Sequence, residues 1–201
     1  MIAVIDYGMG NLRSVHKALE KLGFAVEVTS DPDKVVQAER VVLPGVGAFA
    51  DAARNLRSSG MNEAISEVVR AGKPFLGICL GLQLLFSESE EDGLHRGLDI
   101  IPGRVTRLPS IEKVPHMGWN QVSYCQKVPL FDGIPDQSYF YFVHSYYVVP
   151  DHEEVKAATS DHGVAFTCAV FKGNIFATQF HPEKSSTLGL KLLKNFGEWR
   201  P

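Results

Sequence analysis

Hydrophobic and polar positions in the first half of the chain follow two alternating periods. Short, wholly apolar runs, typical of buried strands, are separated by stretches in which apolar residues recur every three or four positions, as on one face of a helix. The predicted strands lie within residues 1–8, 25–29, 40–43 and 74–78. The predicted helices cover 11–22, a segment that begins at Asp31-Pro32, 49–56, 61–70 and 80–86. Strands separated by helices of this length indicate a parallel sheet with helices on both faces.

The second half of the chain has a different pattern, rich in β-branched and aromatic residues. The predicted strands are 105–108, 121–124, 139–149 and 165–180, with a hairpin turn at Lys172-Gly173-Asn174, and a helix over 187–199 follows. No linker divides the chain, so we expect one domain over residues 1–201. Its predicted fold is α/β, an open, mostly parallel sheet with helices on both faces that is extended by antiparallel strands.

Composition, charge and cysteine content narrow the classes of function. The 201 residues are 45% hydrophobic and carry a formal net charge of −3, which is too near neutral to favour nucleic acid or an anionic membrane as partner. We expect a cytoplasmic protein, since we find no basic, apolar leader and no apolar span of about 18 residues. Cys79, Cys125 and Cys168 lack the spacing of a metal site or a disulfide framework, so neither metal nor cofactor is expected.

The pentapeptide Gly77-Ile78-Cys79-Leu80-Gly81 lies where a buried strand meets a helix, and it has the form of a nucleophile elbow. The residues two before and two after the cysteine would collide in so sharp a turn if either carried a side chain. The sulfur would lie at a helix N-terminus, where free N–H groups favour the thiolate and can bind an oxyanion. Cys79 is therefore the candidate nucleophile, and the alternative is a buried, inert cysteine.

A cysteine nucleophile needs a base that is held in one tautomer. A predicted strand ends at Phe180 and is followed by His181-Pro182-Glu183. Pro182 favours an extended backbone at His181, so the side chains of residues 181 and 183 project to the same side. Glu183 can then orient the His181 imidazole while its other nitrogen faces a nucleophile at the carboxyl edge of the sheet. The chain has seven histidines, so a purely structural His181 is the alternative.

Three segments together resemble the class I, triad-type glutamine amidotransferases, and the similarity covers essentially the whole chain. They are residues 43–47 (Leu-Pro-Gly-Val-Gly), 77–83 and 179–183. The resemblance implies a flavodoxin-like core and hydrolysis of glutamine through a glutamyl thioester on Cys79, with His181 as base and acid and Glu183 as its orienter. It further implies substrate contacts at Gly47, Gln83, Ser145 and Tyr146, and oxyanion-binding N–H groups on Val46 and Leu80.

Residues 6–11, 115–120 and 141–146 narrow the resemblance to the glutaminase subunits of imidazole glycerol phosphate synthase, which serve histidine biosynthesis. In that group the partner is a separate (β/α)8-barrel cyclase, which forms a heterodimer with the glutaminase and receives its ammonia. A chain of this length leaves too little sequence for a synthase domain, in agreement with a separate partner. The implied interface residues are Met117, Trp119, Tyr141 and Lys184, although Trp119 and Tyr141 could equally be core aromatics.

Three other functions remain open at this point. The first is the glutaminase of another class I enzyme, serving anthranilate, aminodeoxychorismate or guanylate synthesis, because the triad is common to all of them. The second is a cysteine peptidase or isomerase-like protein, which would have no use for Gln83 or for the glycine-rich 44–47 loop. The third is a flavodoxin-like binding module, which would not account for the elbow and the triad together.

Overall fold

The elements that the sequence pattern predicts are nearly all present, in the predicted order. The computed structural model describes every residue from 1 to 201. Its helices are α1 (Leu12–Lys21), α2 (Pro32–Gln37), α3 (Phe49–Ser58), α4 (Met61–Arg70), α5 (Leu80–Leu84) and α6 (Ser186–Glu198). Its strands are β1 (Ile2–Ile5), β2 (Val26–Thr29), β3 (Arg40–Gly45), β4 (Phe75–Cys79), β5 (Phe86–Ser89), β6 (His95–Arg96), β7 (Ile101–Arg107), β8 (His116–Tyr124), β9 (Ser138–His144), β10 (Tyr146–Pro150), β11 (Lys156–Asp161), β12 (Ala165–Lys172) and β13 (Ile175–Thr178).

One connected sheet runs through the molecule. Five parallel strands lie in the order β2-β1-β3-β4-β13, and the sheet continues through β12, β10 and β7 in antiparallel pairing before it ends with β5 and β6. A branch leaves β12, because β11 pairs with β12, β8 with β11 and β9 with β8. The predicted fold class, a mostly parallel α/β sheet extended by antiparallel strands, is confirmed.

Helices cover both faces of the parallel strands. On one face, α1 and α6 bury residues such as Val15, Leu19 and Leu192 in one apolar cluster. On the other face, α3 and α4 bury residues such as Leu56 and Ile65 in a second cluster. Because both faces are covered, the parallel strands are apolar throughout, and all four residues of β1 are buried.

The structure differs from the pattern at a few boundaries. The helix predicted over 80–86 ends at Leu84, and Phe86 begins β5, because this segment pairs in parallel with β7. The runs 139–149 and 165–180 each contain two strands, and the second reverses at Gly173, whose φ of +58° fits the predicted hairpin turn. Strands β5, β6 and β11 were not predicted, since they are short or polar and owe their conformation to their neighbours in the sheet.

No helix in the structure is long and apolar enough to cross a membrane.

Candidate active site

The junction of β4 and α5 has the geometry of a nucleophile elbow. Cys79 has φ 56° and ψ −109°, which is a conformation that L-residues seldom adopt. A Cβ on Gly77 would lie 2.9 Å from the Gly81 carbonyl oxygen, and a Cβ on Gly81 would overlap the carbonyl oxygen of Leu43 on the neighbouring strand. The two glycines are therefore required by close backbone approach, as the pentapeptide predicts, and strain at the cysteine marks the turn as a functional candidate.

The strand that carries the candidate base lies directly beside the strand that carries the cysteine. Strands β13 and β4 are parallel neighbours, with Thr178 opposite Ile78, so both chains leave the sheet at its carboxyl edge. His181 Nδ1 lies 2.9 Å from Glu183 Oε1, and the two side chains are 1% and 0% exposed. Asn11 Nδ2 also donates to this carboxylate oxygen, at 3.4 Å. Sheet topology thus brings together two segments that are about one hundred residues apart.

Competing effects set the pKa of His181. Burial lowers it, but the neighbouring Cys79 sulfur and the Glu183 carboxylate that bonds Nδ1 outweigh burial and raise the pKa of His181 to about 10. Nε2 of His181 makes no regular hydrogen bond within the protein and is buried, while Nδ1 is held by Glu183. The imidazolium form of His181 is therefore favoured, held by the Glu183 carboxylate and placed to serve as proton donor beside a cysteine.

A cleft of about 260 Å³ opens over the cysteine. This volume lies just below the range of about 300–1,000 Å³ that is usual for drug-sized ligands, and it suits a free amino acid. The lining residues are Val46, Gly47, Cys79, Leu80, Gln83, Glu91, Val143, His144, Ser145 and Tyr146. All the residues expected to contact substrate or oxyanion thus line one cleft, whereas His181 is not among its lining residues.

The orientation of the Gln83 amide is fixed by its partners. Nε2 donates to the backbone carbonyl of Tyr146 at 3.0 Å and to Gln179 Oε1 at 3.1 Å. A carbonyl oxygen can only accept, so both hydrogens of Nε2 are used and the amide cannot be flipped. Gln83 Oε1 makes no hydrogen bond within the protein and remains free to accept one from a ligand in the cleft.

The glycine-rich segment 44–47 begins within the end of β3; a hydrogen bond holds its first residue, and its last residue has a backbone conformation open to glycine. The Tyr7 hydroxyl donates to the Pro44 carbonyl at 3.0 Å, and burial, with a smaller contribution from Cys79, raises the pKa of Tyr7. A Cβ on Gly45 would lie 2.5 Å from the Tyr7 hydroxyl oxygen, so no side chain fits there. Gly47 has φ +106°, a conformation open to glycine.

Sequence reasoning missed three residues of the site. Glu91 belongs to the acidic run 88–92, whose composition is typical of a solvated loop. It nevertheless lines the cleft, and its Oε2 accepts a hydrogen bond from the Phe49 backbone N–H at 2.8 Å. Gln179 is fully buried and donates to Cys79 Sγ at 3.6 Å. Tyr7 anchors the glycine-rich loop. All three roles depend on contacts between distant segments. Gln179 and Tyr7 lie in the motif segments 179–183 and 6–11, but the motifs alone do not assign these two residues a role in the site.

The four expected interface residues form a patch on β8, β9 and the turn after His181. Trp119 and Tyr141 are opposite each other in the β8–β9 pair, with ring centroids 6.2 Å apart. Lys184 Nζ lies 5.9 Å from the Tyr141 ring. Met117 is 63% and Trp119 52% exposed, so Trp119 is a surface residue and not a core aromatic. Exposed large apolar side chains of this kind indicate a surface for association.

Comparison with known proteins gives the family. The family model described as glutamine amidotransferase class-I matches residues 3–198. The chain belongs to this family. The predicted amidotransferase activity class is therefore confirmed, and the peptidase and binding-module alternatives are not supported.

Two curated relatives of this amidotransferase are named imidazole glycerol phosphate synthase subunit HisH. The protein from Moorella thermoacetica is 60% identical over 98% of this chain and 94% of its own length. The protein from Syntrophotalea carbinolica is 57% identical over 98% of this chain and 100% of its own length. The narrower resemblance, to the glutaminase subunits of imidazole glycerol phosphate synthase, is thereby confirmed.

Solved structures of low sequence identity share the fold. PurLQS from Thermotoga maritima has a TM-score of 0.75 at 19% identity, over 98% of this chain and 95% of that one. A structure described as glutamine amidotransferase has a TM-score of 0.73 at 20% identity, over 98% of both chains.

Proposed function

We propose that the protein is the glutaminase subunit of an imidazole glycerol phosphate synthase and that the whole chain, residues 1–201, acts as one glutaminase domain. It hydrolyses L-glutamine to glutamate and ammonia and passes the ammonia to a separate (β/α)8-barrel cyclase in a heterodimer. The observation that carries this proposal is a cysteine at a strained elbow, beside a buried imidazole whose far nitrogen is held 2.9 Å from a buried carboxylate.

In the first half-reaction, the Cys79 thiolate attacks the carbon of the substrate side-chain amide. The oxygen gains negative charge, which the backbone N–H groups of Leu80 and Val46 stabilise. His181 gives its proton to the departing nitrogen, the carbon–nitrogen bond breaks, and a glutamyl thioester and ammonia result. Glu183 keeps the imidazole in the orientation and tautomer that this proton transfer requires.

In the second half-reaction, water replaces ammonia. His181, now neutral, takes a proton from water as the water oxygen attacks the thioester carbon. The carbon–sulfur bond breaks, glutamate leaves, and the thiolate–imidazolium pair is restored. No metal or other cofactor enters either step, since the oxyanion is stabilised by backbone donors.

The cleft supplies the acceptors that a free amino acid needs. Glutamine carries an α-ammonium group, and the Glu91 carboxylate at the cleft wall can accept a hydrogen bond from it. The free Oε1 of Gln83 is a second acceptor. Ser145, Tyr146 and Gly47 line the same cleft. A peptide has no free α-ammonium at an internal glutamine, so the site discriminates for the free amino acid.

The exposed patch of Met117, Trp119, Tyr141 and Lys184 is the proposed contact with the cyclase. It lies next to the site, because the Tyr141 carbonyl accepts a hydrogen bond from the His181 backbone N–H at 2.9 Å. Ammonia that entered water would be protonated and lose its nucleophilicity. A partner seated on this patch can receive the ammonia where it forms.

The cytoplasm is the proposed location. Cys79, Cys125 and Cys168 are all unpaired. Disulfides form in oxidising compartments, and a catalytic thiol is kept reduced in the cytosol.

The nucleophile is tested with Cys79→Ala in the complex with the cyclase. We expect glutamine-dependent synthesis to fall by at least about a thousandfold, since covalent catalysis is lost. Ammonia-dependent synthesis should stay within about twofold of wild type, because the cyclase chemistry is untouched. The measurement is product formation from each nitrogen source. Loss of both activities would mean that Cys79 is required for the structure of the complex.

A glutamine-mimicking electrophile provides an independent test, with the other cysteines as internal controls. Mass spectrometry should find one adduct, on Cys79. Cys125 is more exposed but lacks a neighbouring base, and burial raises the pKa of Cys168 well above its usual value. Labelling that follows exposure instead, with Cys125 first, would contradict the assignment.

A further inference from the structure

Two buried histidines outside the triad contact each other across the β8–β9 pair. His116 and His144 are directly opposite in register and are 4% and 6% exposed. His116 Nδ1 lies 2.9 Å from His144 Nε2. Neither residue has a part in the proposed chemistry, although His144 lines the substrate cleft.

The hydrogen bonds of these histidines determine both tautomers. His144 Nδ1 lies 2.8 Å from the Tyr146 carbonyl oxygen, which can only accept, so Nδ1 carries the hydrogen and Nε2 is the acceptor. His116 Nδ1 must then donate, and its Nε2 accepts from Asn120 Nδ2 at 3.1 Å. The second Asn120 hydrogen goes to the Asp161 carbonyl at 2.6 Å. Every ring nitrogen of the two histidines, and both hydrogens of the Asn120 amide, thus have a partner.

Both imidazoles are neutral in this arrangement. Burial, with a smaller effect of His162, lowers the pKa of His116 to about 4. Burial lowers the pKa of His144 to about 3, against the hydrogen bond to Tyr146. A second proton on either ring would turn its acceptor nitrogen into a donor that points at another N–H donor. The two rings therefore form a fixed series of hydrogen bonds and do not take up protons near neutral pH.

This series of hydrogen bonds continues to the nucleophile. The Tyr146 carbonyl that accepts from His144 also accepts from Gln83 Nε2 at 3.0 Å. Gln83 Nε2 donates in turn to Gln179 Oε1 at 3.1 Å, and Gln179 Nε2 donates to Cys79 Sγ at 3.6 Å. A donor to sulfur favours the thiolate over the thiol.

We infer that His116 and His144 are positioning residues for the glutaminase reaction: their hydrogen-bond chain sets the Tyr146 carbonyl, and through it the Gln83 and Gln179 amides, against the Cys79 sulfur. Strand β8 carries Met117 and Trp119 on its exposed face and His116 on its buried face. A shift of β8 therefore changes the hydrogen bonding of the thiolate. The inferred effect on glutamine hydrolysis rests on the proposed function, whereas the inferred effect on the reactivity of the Cys79 thiol does not.

The test measures alkylation of Cys79 by iodoacetamide in the full-length chain, as a function of pH, by mass spectrometry of the Cys79 peptide. His116→Phe keeps the volume but removes both hydrogen bonds, and His116→Asn restores a donor towards His144. His162→Phe is the matched control. The His162 ring stacks on His116, with ring centroids 4.2 Å apart, but its hydrogen bond goes to the Lys113 carbonyl and not to the His116–His144 series. The titratable groups around this network are Tyr7, Glu91, His162 and His181, and Glu183 is bonded to His181.

We expect His116→Phe to lower the alkylation rate at pH 7 by about threefold or more and to move the pH midpoint upwards, because the thiolate loses a well-placed donor. His116→Asn should recover most of the rate, and His162→Phe should lie within about twofold of wild type. In the complex, kcat/KM for glutamine should follow the same order. A rate and midpoint unchanged in folded His116→Phe, or an equal loss in His162→Phe, would overturn the inference.

If His116→Phe does not fold, Asn120→Leu tests the same series of hydrogen bonds at Asn120, its half-buried outer member. It removes the donor to His116 Nε2 and should lower the alkylation rate in the same direction by a smaller factor, and an unchanged rate counts against the inference. Glutamine hydrolysis absent from the wild-type complex would refute the proposed function alone, since the alkylation profile would still report the coupling of β8 to the sulfur.

Discussion

At the scale of single residues, backbone geometry at the elbow leaves little choice of amino acid. Cys79 adopts a positive φ, and this strain is held by the pairing of β4 with strands on both sides. Gly81 lies against the carbonyl oxygen of Leu43 with no room for a methyl group. The position of the sulfur at the cleft is thus a consequence of close packing between the first turn of α5 and β3.

Gly81→Ala tests this packing, with Gly173→Ala as control. The added methyl group must displace Leu43, so we expect a loss of about 3 kcal/mol or more in the free energy of unfolding and loss of Cys79 alkylation. Gly173 has a positive φ but nothing within 4 Å of an added Cβ, so its alanine variant should lose only about 1 kcal/mol and keep its reactive thiol. Urea unfolding and alkylation measure both, and equal effects would rule out the steric explanation.

Sequence reasoning reached the site residues whose signal is local. Cys79 lies between two obligatory glycines, and the spacing of His181 and Glu183 is a property of three consecutive residues. Glu91 was beyond reach, because its place in the cleft depends on how β5 leaves the sheet. Gln179 lies in the 179–183 motif, but its contact with the sulfur could not be predicted, since its partners Gln83 and Cys79 are about one hundred residues earlier in the chain.

At the scale of elements, the β8–β9 pair has two different faces: one is exposed to solvent, and the other is buried and contains polar side chains. One face presents Met117 and Trp119, and the other contains His116 and His144 among aromatic rings such as Phe142. A strand pair with such a polar interior is sensitive to protonation. Its register is specified by that interior, because a slip of one residue would expose the histidines and bury Trp119.

Acid should therefore destabilise this pair. The pKa values of His116 and His144 are lowered from 6.5 to about 4 and about 3, so below pH 6.5 the unfolded chain binds more protons than the folded one. We expect the free energy of unfolding to fall as the pH is lowered from 6.5 towards 4, and to fall less steeply in His116→Phe. The exposed His152→Gln variant should retain the wild-type slope in urea unfolding. Identical slopes in all three proteins would contradict buried, neutral histidines.

The elements themselves were mostly predictable, since strong periodicity identifies α1, α3, α4 and α6 to within a few residues. The first turn of α5 was predicted but its end was not, because the chain from Phe86 forms β5 against β7 although its local pattern continues the helix. Strand β11, with the sequence Lys-Ala-Ala-Thr-Ser-Asp, has no pattern typical of a strand. It forms because β12 and β8 offer hydrogen bonds on both of its edges.

At the scale of the whole molecule, the two tryptophans have different environments: one is part of the folded core and the other lies on the surface proposed for association. Trp199 is 7% exposed and packs near Phe171, whereas Trp119 is 52% exposed on the proposed cyclase contact. A large aromatic side chain in the open is the residue type that most often dominates a protein interface.

Trp119→Ala should weaken binding of the cyclase by about tenfold or more while the free energy of unfolding of the isolated chain changes by less than about 0.5 kcal/mol. Trp199→Ala should do the reverse, with a loss of about 3 kcal/mol or more in stability and little change in affinity for the folded protein. Titration calorimetry with the cyclase and urea unfolding give the two quantities. Equal affinities of wild type and Trp119→Ala would remove the patch from the interface.

The parallel pairing of β4 with β13 also has a consequence for synthesis on the ribosome. The cysteine emerges about one hundred residues before its base, and translation at about 5–20 residues per second separates the two by roughly 5–20 s. During that time the nascent chain holds a thiol without an acid–base partner. We therefore expect a ribosome-bound or truncated chain that ends before β13 to be hydrolytically inert, so that unfinished copies would consume no glutamine.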